Sequence, residues 1–291
     1  MSASPDILRT GSSERAYPLS LRGGRRLDGR VSEESGGSLA LYPASLMMLF
    51  FMVPLAALAL RWLGFLEASE ETFSLLVTLE ALSLSIATTL VTVFITFALG
   101  TPLAWVLATR RFRFKPLITV FVELPLVMPP VVAGLALLVA FGRNGIVGRH
   151  LAEAGITIAM TPAAVVAAQL FVAAPYYIRA AQLRFAAIPP ELREAANIDG
   201  AGDHAYFWKI VMPLSGKALL SGMILTWARA LGEFGATILF AGNLAGRTQT
   251  MPSLVYTALE QDLGASFTVA IILLLFAAMA LAVVRTVSIP E

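Results

Sequence analysis

Six long apolar runs separated by short polar gaps constrain the fold of this 291-residue chain more than any other feature. A membrane core about 30 Å thick is crossed by roughly 20 apolar residues in an α-helix. Lipid offers no partner for unpaired backbone groups, so runs of this length favour helices. The sequence therefore predicts an all-α integral membrane protein. Its six spans are expected at about 40–62, 76–108, 117–141, 161–183, 214–240 and 264–286.

Composition agrees with a membrane location and narrows the chemistry. The chain is 57% hydrophobic and 14% charged, whereas a soluble domain carries about 25% charged residues. It contains no cysteine and two histidines, so a thiolate or histidine metal site is not expected. The net charge of +2 is too small to indicate nucleic-acid binding.

The chain divides by composition into a polar tail and a membrane region. Residues 1–38 are rich in Ser, Gly and Arg and lack an apolar run, which predicts a disordered cytoplasmic tail. Residues 39–75 are expected to hold the first spanning helix and an outer loop. Residues 76–286 are expected to form the remaining transmembrane domain.

Charges in the gaps predict the orientation of the spans. The gap between the second and third runs contains four basic residues and no acidic residue, and positively charged gaps favour the cytoplasm. With six spans, both termini and the loop at 184–213 are then expected on the cytoplasmic side. The four basic residues are Arg110, Arg111, Arg113 and Lys115.

The loop at 184–213 has the features of a compact helical projection. Pro189 and Pro190 are suited to begin a helix, and Gly200 and Gly202 are suited to end it. A second short helix is expected to follow and to present small and aromatic side chains. Such a surface suits a groove on a partner protein. The side chains expected to be presented are Ala205, Tyr206, Phe207, Trp208 and Ile210.

The same loop contains Glu194-Ala195-Ala196, followed by Gly200, Ile210 and Pro213. This pattern resembles the EAA motif of bacterial ABC importer permeases. Met212 departs from that pattern, where the family often has Leu. The resemblance implies the type I importer transmembrane domain, in which this loop docks on a cytoplasmic ATPase subunit. An ordinary helical hairpin between two spans is the alternative. The residues assigned to coupling are Glu194, Ala195, Ala196, Asp199, Gly200, Ile210 and Pro213.

Four further segments carry a second resemblance, and they lie at 123–134, 141–145, 229–237 and 241–252. Together they resemble the molybdate/tungstate permeases, with sulfate/thiosulfate permeases as near relatives. The similarity covers about 75–286 and implies molybdate or tungstate import across the inner membrane; sulfate/thiosulfate import is the alternative. The implied assembly contains a second copy of the chain, two ATPase subunits and an extracytoplasmic oxyanion-binding protein.

The chain itself is not expected to be an enzyme. No phosphate-binding loop of the form GxxxxGK[ST] occurs in the sequence. ATP and Mg²⁺ are therefore expected on the ATPase partner, and no cofactor is expected in this chain.

Some residues within the predicted spans are candidates for a gate or a hinge. Arg229 and Glu233 are four residues apart and share a helix face. An ion pair that holds the bundle, or a role at the gate, would explain them. Pro125, Pro129 and Pro130 interrupt the backbone ladder of the third span. The resulting kink would serve either as a hinge near the pore or as a bend for packing.

Three residues on the predicted outer side are candidates for contact with a docked binding protein or an anion. The alternatives are simple solvation and hydrogen bonding to the loop backbone. Glu123 is expected near the start of the third span, either as a carboxylate that stabilises the helix start or as a salt-bridge partner of Arg111 or Arg113. The three outer residues are Arg143, Thr248 and Gln249.

Two other classes of protein fit the sequence less well. An ion-coupled secondary transporter would need internal repeats with discontinuous helices and a midplane ion site. An integral membrane enzyme would need catalytic side chains clustered near one face. The polar residues in the predicted spans are too few and too dispersed for either.

Overall fold

The computed structural model describes residues 36–68 and 75–288, and every regular element in these ranges is helical. The predicted all-α fold is confirmed. Most of the predicted tail, and residues 69–74 of the predicted outer loop, lie outside the described residues. The helices are α1 (Gly36–Ala68), α2 (Leu75–Thr109), α3 (Lys115–Val127), α4 (Pro130–Phe141), α5 (Gly148–Glu153), α6 (Pro162–Ala186), α7 (Pro190–Ile198), α8 (Asp203–Tyr206), α9 (Met212–Leu231), α10 (Gly235–Phe240), α11 (Met251–Gln261) and α12 (Leu263–Ser288).

Within the described residues, five helices are long and apolar enough to cross a membrane. A π-helical turn, Phe207–Val211, joins α8 to α9, so that one of these is continuous from α8 through α9. The predicted third span is instead divided into α3 and α4. The predicted fifth span, 214–240, ends early at Leu231 and is followed by the separate helix α10. The candidate spans are Leu41–Phe65, Leu75–Thr109, Pro162–Ala186, Asp203–Leu231 and Leu263–Ala282.

The described residues fall into two units. The first is the N-terminal part of α1, which ends at Val53. Its side chains from Leu41 onward are exposed and largely apolar, including Leu46 and Phe50. Such a surface suits lipid.

The second unit begins at Pro54 and is organised around α6, which packs against α2 and α9. Glycines let these helices approach closely, as small residues do in membrane bundles. A Cβ added at Gly100 of α2 would lie 3.1 Å from Ile178 and 3.2 Å from Tyr177 of α6. Gly222 of α9 meets the other side of Tyr177, which is fully buried. Tyr177 therefore lies at the centre of the contact between α2, α6 and α9.

Two smaller clusters complete the second unit. Helix α10 packs on α4, and a Cβ added at Gly134 would lie 2.8 Å from the Ala236 carbonyl oxygen. Helix α11 packs on α12 and α2. The start of α11 is fixed because the Met251 N–H donates to Ser85 Oγ of α2 at 2.8 Å.

Candidate functional site

The loop that carries the EAA-like pattern forms a helical projection at one end of the bundle. A helix over Pro190–Ile198 is confirmed, with Pro189 at its N-cap. It ends because Gly200 takes a φ of +74°, a conformation that side chains with a Cβ rarely adopt. The Ala201 N–H then donates to the Ala196 carbonyl at 2.9 Å, which folds the chain back toward the bundle.

The outer surface of α7 combines acidic, small and apolar side chains. Glu194, Ala195, Asp199 and Gly200 are exposed. Ile198 is 86% exposed, and an exposed apolar side chain on a short helical projection is typical of a surface that meets a partner. Ala196 faces inward and is buried, so its small size fits helix packing.

Three aromatic residues follow Gly202, and the sequence predicts that all three are presented outward. That prediction is wrong for Tyr206 and Phe207, which pack inward. Tyr206 is buried, and Phe207 packs on Trp105 of α2 with ring centroids 5.2 Å apart. Trp105 also meets Phe185 of α6 at 5.5 Å. The ends of α2 and α6 leave an apolar hollow that these rings fill. Trp208 alone points outward and is 53% exposed.

This cluster joins the projection to the spans. Trp105 and Phe185 were missed by the sequence reasoning, although aromatic residues near the ends of two predicted spans are a recognisable signal. The π-helical turn contains Ile210, and Pro213 lies in the first turn of α9. Helix α8, the turn and α9 therefore form one continuous helix from the projection into the bundle.

An ion network fastens α7 to α8 and to the end of α2. Arg193 of α7 donates to Asp203 Oδ1 at 2.7 Å, and Arg110 lies 3.7 Å from the other oxygen. The Arg193 guanidinium also lies 5.6 Å from the centre of the Tyr206 ring. All three charged side chains are largely exposed, so each pair contributes little alone. Together they orient α7 on the bundle.

The structure brings Arg229 and Glu233 together at the junction of α9 and α10. Arg229 Nη2 lies 2.7 Å from Glu233 Oε2, and Glu233 is 1% exposed. The other carboxylate oxygen accepts the Ala236 N–H at 2.9 Å. Glu233 therefore also stabilises the start of α10. The chain turns at Gly232, between the end of α9 at Leu231 and this hydrogen bond, and the predicted fifth span stops there.

The predicted third span is broken between Val127 and Pro130. Met128 is extended, with ψ 130°, and Pro129 has φ −55° and ψ 133°. Each precedes a proline, and the residue before a proline is driven out of the helical conformation. Pro125 is buried within α3 but does not end it. The break thus comes from the pair Pro129 and Pro130.

Glu123 pairs with a residue that the sequence reasoning did not consider. It lies inside α3, eight residues after Lys115, and therefore about 12 Å from the basic turn. The expected pairing with Arg111 or Arg113 is wrong. Its Oε1 lies 2.9 Å from Arg179 Nη1 of α6. Both side chains remain partly exposed, at 36% and 46%.

The three predicted outer residues have different environments. Arg143 is exposed, whereas Thr248 and Gln249 are buried. Thr248 Oγ1 accepts the Leu244 N–H at 3.0 Å, and Gln249 Nε2 lies 3.5 Å from Thr257 Oγ1. Thr248 thus bonds to the loop backbone and Gln249 lies beside α11, while contact of these residues with an anion or a binding protein stays a prediction.

A polar seam between α2 and α6 was also missed. Thr92 Oγ1 donates to Gln169 Oε1 at 3.0 Å, and Gln169 Nε2 donates to Thr88 Oγ1 at 3.2 Å. All three are buried. Hydroxyl residues recurring every three or four positions in α2 were the available signal.

Comparison with known proteins gives a consistent set of matches. The model of the family described as binding-protein-dependent transport system inner membrane component matches residues 100–288. The chain is 40% identical over 208 residues to the probable transport system permease protein NifC of Clostridium pasteurianum, covering 71% of this chain and 73% of that protein. It is 37% identical over 243 residues to the molybdenum transport system permease protein ModB of Mycobacterium tuberculosis, covering 81% and 89%.

The chain is also similar to a sulfate permease and to a solved transporter structure. The chain is 32% identical over 220 residues to the probable sulfate transport system permease protein cysT of Chlorokybus atmophyticus, covering 75% and 77%. The fold matches a bacterial ABC transporter involved in import of the polysaccharide alginate. That match has a TM-score of 0.68 at 13% identity and covers 86% of this chain and 94% of that chain. At this identity the likeness concerns the fold alone.

Proposed function

We propose that this chain, which belongs to the family of binding-protein-dependent transport system inner membrane components, is the permease subunit of an importer that carries molybdate into the cell. The assignment of molybdate as the substrate rests on the similarity to a molybdenum permease along most of both chains. The α7 projection supports the same reading, because its exposed face suits docking on a partner. Tungstate, a chemically similar tetrahedral oxyanion, is included in the proposal.

ATP hydrolysis belongs to separate subunits in this proposal. Two cytoplasmic ATPase subunits bind ATP and Mg²⁺, and each docks on the α7 projection of one of two permease copies. ATP binding favours one of two helix arrangements through this contact, as any ligand-driven change requires. An oxyanion-binding protein docks on the other side of the membrane. With six membrane crossings and the basic turn in the cytoplasm, both termini are cytoplasmic.

The structure suggests how movement reaches the substrate path. A displacement of α7 acts on α2 and α6 through the Trp105 cluster, and on α9 through the continuous helix Asp203–Leu231. The far end of α9 carries the Arg229–Glu233 pair, which caps α10. Helix α10 packs on α4 just beyond the break at Pro129 and Pro130. The break gives α4 freedom to follow α10 without α3.

Arg179 is the residue that we place on the oxyanion path. It lies about 10 Å from the end of α6 and is 46% exposed. A charged side chain at that depth faces water or protein rather than lipid. Its pairing with Glu123 keeps the path from holding an anion too tightly.

The test is molybdenum uptake at nanomolar molybdate in cells with and without the chain, under a large excess of sulfate. Uptake that requires the chain and survives sulfate supports the molybdate proposal. Uptake abolished by sulfate would favour a sulfate importer, for which the similarity to a sulfate permease is the specific observation. Uptake that does not depend on the chain would contradict both.

A further inference from the structure

A basic groove lies beside the α7 projection, at the ends of α2 and α6. Its volume is about 680 Å³. Trp105 and Phe185 form part of its apolar wall, and α7 and α8 close one side. The coupling scheme uses the aromatic cluster and the outer face of α7 but assigns no role to this space. Its basic and acidic lining residues are Arg110, Arg111, Lys115, Arg193 and Asp203.

Among the residues that line the groove, positive charges outnumber negative charges. Asp203 is the single carboxylate among its lining residues, and it is already engaged with Arg193 and Arg110. In the described part of the chain, no carboxylate forms an ion pair with Arg111 or Lys115. An anion placed between these two side chains would gain charge-assisted hydrogen bonds from both.

The turn that forms the rim of the groove has the character of a membrane-surface segment. Phe112 and Phe114 alternate with basic residues and are 36% and 63% exposed. The turn directly joins α2, a candidate span, to α3. Exposed apolar rings interleaved with basic side chains favour the boundary between lipid headgroups and acyl chains. This position distinguishes the groove from a surface that faces only a soluble partner.

We propose that this groove binds the phosphate group of an anionic phospholipid, with Arg111 and Lys115 as the principal contacts. Basic pockets between spans on the cytoplasmic side are suited to anionic headgroups. Phe112 and Phe114 enter the interface beside the lipid. The bound headgroup sits against α7, and therefore links lipid composition to the element that is proposed to meet the ATPase.

The experiment measures phospholipid retained by the detergent-purified transporter complex, by native mass spectrometry with added phosphatidylglycerol or phosphatidylcholine. The test variant is Arg111→Gln with Lys115→Gln. The matched control is Arg149→Gln with Arg247→Gln, which removes the same charge from two exposed arginines elsewhere. We expect the test variant to bind phosphatidylglycerol roughly thirtyfold more weakly, since each basic side chain contributes a factor of about five near an anionic surface. The control should match the unchanged protein.

Three outcomes would overturn the proposal. The first is equal retention of phosphatidylglycerol by the test and control variants. The second is binding of inorganic phosphate alone, with no preference for phosphatidylglycerol, which would identify the ligand as a free anion. The third is loss of the ATPase subunits from the test variant while lipid retention is unchanged, which would identify a protein interface.

A measurement on the unchanged complex keeps the test valid if the variant does not assemble. Retention of phosphatidylglycerol should exceed that of phosphatidylcholine and should fall as salt is raised. Equal retention of both lipids at all salt concentrations would contradict the proposal. Neither result depends on whether the complex transports molybdate.

Discussion

At the residue scale, Gly200 shows why a motif position demands one amino acid. Its φ of +74° is left-handed, and a Cβ built there meets nothing within 4 Å. The requirement for glycine is therefore conformational, and any added side chain would project freely from the end of α7. The EAA-like pattern could predict the turn at this position from sequence. It could not predict that the space around the turn is open.

This geometry separates two effects of substitution at Gly200. Asparagine tolerates the left-handed conformation and resembles aspartate in size, so Gly200→Asn tests bulk and Gly200→Asp tests bulk with charge. We expect both variants to insert in the membrane and Gly200→Asp to lose most ATP-dependent transport. Transport by Gly200→Asp at the unchanged rate would show that this turn does not meet the ATPase. Membrane insertion is checked by detergent extraction and size-exclusion chromatography.

Glu233 and Arg229 form the second test at this scale. Arg229→Ala leaves a buried carboxylate with only the Ala236 N–H as partner, and breaking a buried pair costs about 3–5 kcal/mol. In Arg229→Ala with Glu233→Gln, the amide oxygen still accepts the backbone N–H and no charge is buried. We expect the single variant to melt at a lower temperature than the double variant, measured by thermal unfolding in detergent. Equal or additive losses would show that the two residues are not coupled.

At the element scale, the sequence predicts which segments are helical better than where they stop. The apolar runs locate α1, α2, α6 and α12 closely, because length and hydropathy alone define a span. The third and fifth runs fail for local reasons. Consecutive prolines divide one, and the buried Glu233 ends the other by capping α10. Hydropathy alone shows neither break. The first follows from consecutive prolines, which the sequence does display, and the second from the local hydrogen bond between Glu233 and the Ala236 N–H.

The α4–α10 contact provides a test of this packing. In Gly134→Ala, the added methyl would lie 2.8 Å from the Ala236 carbonyl oxygen, so the helices must separate. We expect a fall of several degrees in the melting temperature of the purified protein. Gly216→Ala of α9 is the control, because nothing lies within 4 Å of the added atom and alanine favours helix. An equal change in both variants would contradict close packing of α4 on α10.

At the scale of the whole molecule, contacts between helices that are distant in sequence account for the features that the sequence did not predict. Charge in the gaps and spacing in the loop predict the orientation of the spans and the coupling motif, and both stay predictions. The inward packing of Tyr206 and Phe207, and the pairing of Glu123 with Arg179, follow from how separate helices meet. Arg179 and Glu123 remain 46% and 36% exposed in this chain.

The most direct test is uptake of radiolabelled molybdate by proteoliposomes that contain the purified chain, its ATPase partner and the oxyanion-binding protein. We predict accumulation only when ATP is present on the ATPase side, and loss of accumulation with Gly200→Asp. Accumulation driven by an ion gradient without ATP would contradict an ATP-driven permease and favour a secondary transporter. Absence of accumulation for molybdate, with accumulation of sulfate under the same conditions, would contradict the assigned substrate.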